Sequence, residues 1–89
     1  MSMTLSGRIT VHGDKPAQTA TVELKNATGD TVDQVQVDGA GRYVFYVTEG
    51  EWSLNAWDAY GHRGNGSATV EEGGQVVLNL DLAEPEGGH

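Results

Sequence analysis

Val37-Asp38-Gly39-Ala40-Gly41-Arg42-Tyr43-Val44-Phe45, followed closely by Gly50-Glu51-Trp52-Ser53-Leu54, is the stretch that decides the fold. A glycine turn opens into a strand of alternating aromatic and aliphatic residues, and a second glycine turn opens into another. Gly39 and Gly41 can take positive φ, so a tight reversal fits just before Tyr43. The Asp38 side chain can close the same turn onto its own backbone. Gly50 plays the equivalent part before Trp52. The stretch reads as the edge of a small β-sandwich folded back on itself, and it carries no catalytic group.

Period-two alternation extends outward from there in both directions. Leu5, Gly7, Ile9 and Val11 alternate with polar residues until His12-Gly13-Asp14-Lys15-Pro16 breaks the run. Ala20, Val22 and Leu24 form a second strand, closed by Asn26-Ala27-Thr28-Gly29-Asp30. Val35 and Val37 form a third, and Val32 is out of phase with them, which predicts a bulge or a late start. Tyr43, Phe45 and Val47 share one face of the next strand, with Val44 and Tyr46 on the other. Two apolar faces predict either a central strand covered on both sides or one whose outer face meets a partner. Trp52, Leu54 and Ala56 follow, then a long irregular stretch from Asp58 to Gly66. Ala68 and Val70 make a short strand. Val76, Leu78, Leu80 and Leu82 give the cleanest alternation of all.

This amounts to seven short strands at regular spacing with no helix signal, which predicts an all-β fold, a seven-stranded Greek-key β-sandwich. A thin core of Val, Leu and Ala suits two inner faces about 10 Å apart. At 89 residues there is room for one domain. We assign it to residues 1–82, with residues 83–89 as a polar tail. Four of the six aromatics, Tyr43, Phe45, Tyr46 and Trp52, fall within ten positions, so the aromatic part of the core belongs to one region.

The 13 Asp and Glu outweigh 5 Lys and Arg, for a net charge of -8. Phosphate contacts dominate nucleic-acid affinity, so the balance argues against a DNA or RNA partner. It equally disfavours an anionic membrane surface. It suits solubility or docking onto a basic surface. There is no Cys, hence no disulfide staple. The opening residues lack a signal-peptide shape, which sets the expectation of a cytoplasmic protein at synthesis, released within a virion if it is a particle component.

The order of the elements resembles the carboxypeptidase regulatory-like domains. It does so through Gly7-Arg8-Ile9-Thr10-Val11, Pro16, Ala20-Thr21-Val22-Glu23-Leu24, Asp38 to Phe45, Gly50-Glu51-Trp52-Ser53-Leu54 and Val77-Leu78-Asn79-Leu80-Asp81-Leu82. The resemblance spans about Leu5 to Leu82. It implies a transthyretin-type (prealbumin-like) or Ig-like sandwich, and an accessory, adhesive or spacer module. The chain is also similar to a short actinobacterial family of unknown function, which implies, as one alternative, an intracellular accessory protein of sulfur metabolism. The prealbumin-like fold includes hydrolases of 5-hydroxyisourate, which use His and Arg across a tetramer channel and end in Tyr-Arg-Gly-Ser. This chain ends in Pro85-Glu86-Gly87-Gly88-His89, without that motif. Arg42 and His12 could be set to such roles only against their spacing.

The three His lie far apart in sequence: His12 after the first strand, His62 in the long loop and His89 at the end. Zinc sites want about four ligands at recognisable spacing, and no such motif is present. His62 with Asp58 is the nearest approach to a cluster. Gly64-Asn65-Gly66-Ser67 reads as a loop, not as a nucleophile elbow. The expectation is therefore no catalytic residue, no cofactor and no metal. Tyr46 and Trp57 are out of phase with the core, and Tyr60 sits in the Gly-rich loop. With His62 they form the candidate contact surface, unless the other sheet or the loop covers them. The leading expectation is a non-catalytic binding module on a larger protein assembly or a homo-oligomer, above all a bacteriophage capsid-decoration, head or tail protein. The alternatives are a carbohydrate- or surface-binding module and a 5-hydroxyisourate hydrolase-like enzyme.

Overall fold

Two sheets face each other across a thin apolar core in a computed structural model that describes residues 3–84. The first sheet is built around β1 (Met3–Val11). The second sheet holds β3 (Thr21–Lys25), β4 (Thr31–Gln36), β6 (Gly50–Trp57) and β7 (Arg63–Val70) in the order β4-β3-β6-β7, all antiparallel. On one side of β1 run β5 (Arg42–Val47) and, past its end, the two-residue β2 (Lys15–Pro16), both antiparallel. On its other side run β8 (Gln75–Val77) and β9 (Leu80–Leu82), both parallel to it. The fold is the all-β sandwich the alternation predicts. Among the described residues it has nine strands where seven are expected: the short β2 is added, and the final run is divided in two. No helix of the described residues is long and apolar enough to cross a membrane.

Inward-facing residues follow the alternation. Leu5, Ile9, Tyr43, Phe45, Leu80 and Leu82 come from the first sheet, and Val22, Leu24, Leu54, Ala56 and Val70 from the second. Burying Phe45, Leu5, Ile9 and Leu54 is worth roughly 1.5–3 kcal/mol each. Trp52 is only half-buried: it packs against the core with its ring N–H donated to the Thr48 carbonyl at 2.9 Å.

Three connections share one local solution. In Asn26–Asp30, Asp38–Arg42 and Asp58–His62 the first side chain accepts, through Oδ1, the amides two and four residues on. Its carbonyl takes the amide of the Gly three residues on, at positive φ (Gly29 88°, Gly41 81°, Gly61 91°). This is a type I turn followed by a left-handed residue, for which glycine is the natural choice. The Arg42 amide in particular holds the Asp38 carboxyl below its ordinary value, with that of Ala40 adding to it.

Val32 is the residue the β3–β4 pairing skips, between Leu24 opposite Asp33 and Lys25 opposite Thr31, so the predicted bulge is there. Two expectations need correction. Of the two alternatives for the Tyr43–Val47 strand, the central, doubly covered one does not hold: among the described residues β5 is an edge strand paired with β1 alone, and its outer face is open, with Val44 and Tyr46 47% and 77% exposed. The residues from Arg63 to Gly66, read as loop, are the first half of β7. Their glycines are small for a packing reason. The Leu82 and Leu80 side chains lie across Gly64 and Gly66, and a Cβ there would meet them at 3.0 and 2.9 Å.

Candidate functional site

Backbone pairing brings three distant segments to one end of the sandwich. Val11 pairs with Leu82 in parallel register, and a bridge with two backbone hydrogen bonds joins Arg63 to Ala83. His12, His62 and Glu84 each stand one residue beyond these paired positions. They are therefore neighbours, although 50 and 22 positions separate them in sequence. His12 adopts a left-handed backbone, φ 54°. The turn it begins is tied down by Asp81, whose Oδ1 accepts the Thr10 hydroxyl at 2.8 Å and the Gly13 amide at 3.1 Å.

His62 is the closing residue of the third turn. Its Nδ1 lies 2.7 Å from Asp58 Oδ2. Asp58 is a buried charged residue, 8% exposed, and its other oxygen accepts the amides of Tyr60 and His62. Burial alone would raise this carboxyl, but the His62 amide, the His62 ring and the Tyr60 amide outweigh it and hold Asp58 below the usual carboxylate range. In return the hydrogen bond that His62 donates to Asp58 raises the imidazole, against the opposing effect of desolvation, with Glu84 adding to the rise. The Asp58 carboxylate fixes the proton on Nδ1 and leaves Nε2 turned toward Glu84 Oε1, 3.5 Å away. The same Glu84 oxygen is 3.6 Å from His12 Nδ1, and the two imidazoles meet edge to face with centroids 5.5 Å apart. An open depression of about 330 Å³ adjoins the cluster, between Val11, Pro16 and Ala17 on one side and Tyr60 and His62 on the other.

The predicted contact residues do not form a single patch. Tyr60, 74% exposed, and His62, whose side chain is 12% exposed, lie at the cluster. Trp57 directly precedes Asp58 but points to the outer face of the second sheet, half-buried between Thr21 and Arg63 in the strand pairing. Tyr46 is at the opposite end, near the turn into β6. The strand between that turn and Trp57 is about 23 Å long at 3.3 Å per residue. His89 and the C-terminal residues compared with the hydrolase motif lie outside the described residues. The sequence reading noticed Asp58 with His62 but missed that His12 and Glu84 join them. The available signal was position: His12 follows directly on the alternating run of the first strand and Glu84 lies two residues past that of the last, and this fold pairs the two strands.

Residues 4–83 match the carboxypeptidase regulatory-like domain. No functionally curated protein matches the chain in sequence. Among solved structures, 93% of the chain superposes on 18% of the Bacillus anthracis TIE protein, with TM-score 0.72 and 15% identity. It superposes with TM-score 0.67 and 18% identity on a DUF3823 family protein from Parabacteroides merdae, covering 93% of this chain and 46% of that one. The chain thus spans less than half the length of both. The 5-hydroxyisourate hydrolase of Klebsiella pneumoniae is similar over 98% of this chain and 93% of its own, with TM-score 0.69 and 22% identity. At these identities the likeness establishes the prealbumin-like fold. By its sequence match over residues 4–83, the chain belongs to the carboxypeptidase regulatory-like domain family.

Proposed function

We propose that this domain is a non-catalytic binding module that docks onto a larger protein assembly through the open edge formed by β4 and β5. The observation that carries the reading is the exposure of Val44 and Tyr46 on a strand whose outer backbone edge has no partner among the described residues. β4 is likewise an edge strand, and Val32 and Tyr46 line one groove of about 490 Å³ together with Met3, Val47 and Trp52. An unpaired edge beside an apolar groove suits addition of an extended segment, with main-chain hydrogen bonds for affinity and side-chain pockets for selectivity. The particle form of the proposal is a bacteriophage capsid-decoration, head or tail protein. A small acidic domain repeated over a surface gains by multiplicity what its small interface lacks. A photo-crosslinking residue placed at Tyr46 in the organism of origin should yield a discrete protein adduct, whereas the same residue at Thr69, exposed on β7 at the end of the second sheet away from β4, should not. Equal labelling at both positions, or none at Tyr46, overturns the reading, and turnover of 5-hydroxyisourate overturns its non-catalytic part.

A second reading has one specific support. Trp57, Arg63, Asn55 and Asn65 stand together on the outer face of β6 and β7, a ring flanked by amides and a guanidinium. Such a platform suits a sugar ring. A glycan array comparing the native chain with Trp57→Ala tests it. Binding lost on mutation supports a carbohydrate module, and an unchanged profile rejects it.

A further inference from the structure

The distances within the histidine–carboxylate cluster are awkward for hydrogen bonds. Glu84 Oε1 faces two imidazole nitrogens at 3.5 and 3.6 Å, beyond the 2.7–3.2 Å of an ordinary N–H···O bond. They are the distances expected between ligands sharing one ion. With metal–nitrogen bonds of about 2.0–2.1 Å and metal–oxygen bonds of about 2.0–2.2 Å, neighbouring ligand atoms of a tetrahedron lie about 3.4 Å apart. One atom from each of His12, His62 and Glu84 falls within 4.8 Å of both others. We propose that His12 Nδ1, His62 Nε2 and a Glu84 oxygen form a three-ligand site for a divalent transition-metal ion of the Zn²⁺ class, with Asp58 as the outer carboxylate that orients His62.

Four features of the site support this independently of the docking reading. The first is the Asp58–His62 pair. A metal-bound imidazole almost always gives its other N–H to a carboxylate or carbonyl, which fixes the ring and makes the free nitrogen a better donor. Here Asp58 accepts it at 2.7 Å while buried and itself held by two amides, so His62 is oriented before any ion arrives. The second is the placement of His12, held in a left-handed conformation by a turn that Asp81 anchors. A non-glycine residue there carries a modest strain that sites of function often store. The third is charge. The Asp58 and Glu84 carboxylates bring two negative charges to the cluster, in a chain whose net charge is -8, and a divalent cation would offset them. The fourth is access. Glu84 is 70% exposed, so its carboxylate can turn toward an ion, the adjoining depression gives the cluster access to solvent, and three protein ligands would leave a fourth coordination position open. Imidazole with carboxylate suits Zn²⁺ and its neighbours rather than Ca²⁺ or Mg²⁺, which prefer all-oxygen shells. The open position would accept water or a donor from a docked partner.

The test uses the full chain, stripped with a chelator and titrated with ZnCl₂ by calorimetry, and with Co²⁺ followed by visible absorption. The expected result is one Zn²⁺ per chain, a rise in Tm on binding and the intense Co²⁺ band of four-coordinate geometry. His12→Ala and Glu84→Gln alter exposed or half-exposed side chains, so each should leave the Tm in chelator unchanged and weaken Zn²⁺ binding at least tenfold. Asp58→Asn should weaken it by about 10–100-fold, the usual cost of losing an outer-sphere carboxylate. Failure of the native chain to saturate at one equivalent overturns the proposal. So does native affinity retained in both His12→Ala and Glu84→Gln, or binding abolished by His89→Ala.

Discussion

Tyr43 donates its hydroxyl to the Leu78 carbonyl, the acceptor that a regular parallel ladder would offer to the Arg8 amide. The Arg8 amide turns instead to the Asn79 side chain, at 2.9 Å. Two side chains thus replace one backbone bond, and every group keeps a partner. Burial pushes the Tyr43 phenol well above its ordinary value, so it stays a donor throughout the working pH range. Tyr43→Phe fills the same space and removes only this bond. It leaves the Leu78 oxygen without its donor, at a cost of about 1–3 kcal/mol. For a domain this size each kcal/mol corresponds to about 4–8 °C in Tm. Urea unfolding should show the loss with an unchanged m-value. A Tyr43→Phe protein as stable as the native one would mean that the Arg8 amide recaptures the carbonyl and that the phenol is not needed.

The same place shows what alternation can and cannot reveal about elements. The run from Val76 to Leu82 reads as one strand because its break leaves no trace in the pattern. Val77 pairs with Ser6 and Leu80 with Ile9, so the offset is the same on both sides and the inward phase continues. What breaks the ladder is the Leu78 carbonyl turned over Gly7, where a Cβ would collide with it. Gly7 looked like an ordinary inward position of β1, and only the partner strand explains why it has no side chain. Gly64 and Gly66 mislead in the opposite direction. Two glycines flanking Asn65 resemble a loop, yet they are inward strand positions kept small for Leu82 and Leu80. The turns were legible because their chemistry is local: an Asx and a Gly three residues on determine the whole geometry. Strand order and edge position were not, since they depend on which distant run a strand pairs with. Hence Tyr43 to Val47 could be read as a strand with two apolar faces, while its edge placement could not. The candidate metal cluster was hidden for the same reason, because its members come from the ends of β1 and β9 and the start of β7.

Charge acts on the molecule as a whole. The net charge is -8, while among the described residues a single Lys or Arg ion pair is formed, Lys25 with Glu23 at 3.8 Å, and it is partly exposed. Such a pair contributes about 0–1 kcal/mol. The remaining acids are spread over a body 45 × 27 × 17 Å. At about 0.01 M salt the Debye length is roughly 30 Å, so a carboxylate on one sheet repels those on the other through most of the molecule. At about 0.15 M it falls to about 8 Å, and only near neighbours still interact. Compaction brings the charges closer together than in the unfolded chain, so this repulsion opposes folding and screening relieves it. The Asp58–His62 pair, largely shielded from solvent, is much less affected by the same salt. Tm should therefore rise by several degrees between low and physiological NaCl in the presence of a chelator, which keeps metal binding out of the comparison. Replacing several exposed acids on the second sheet, such as Asp30, Glu51 and Glu71, with their amides should flatten that dependence. A Tm that falls as salt is added would show that attractive pairs outweigh repulsion in this fold and would refute the argument.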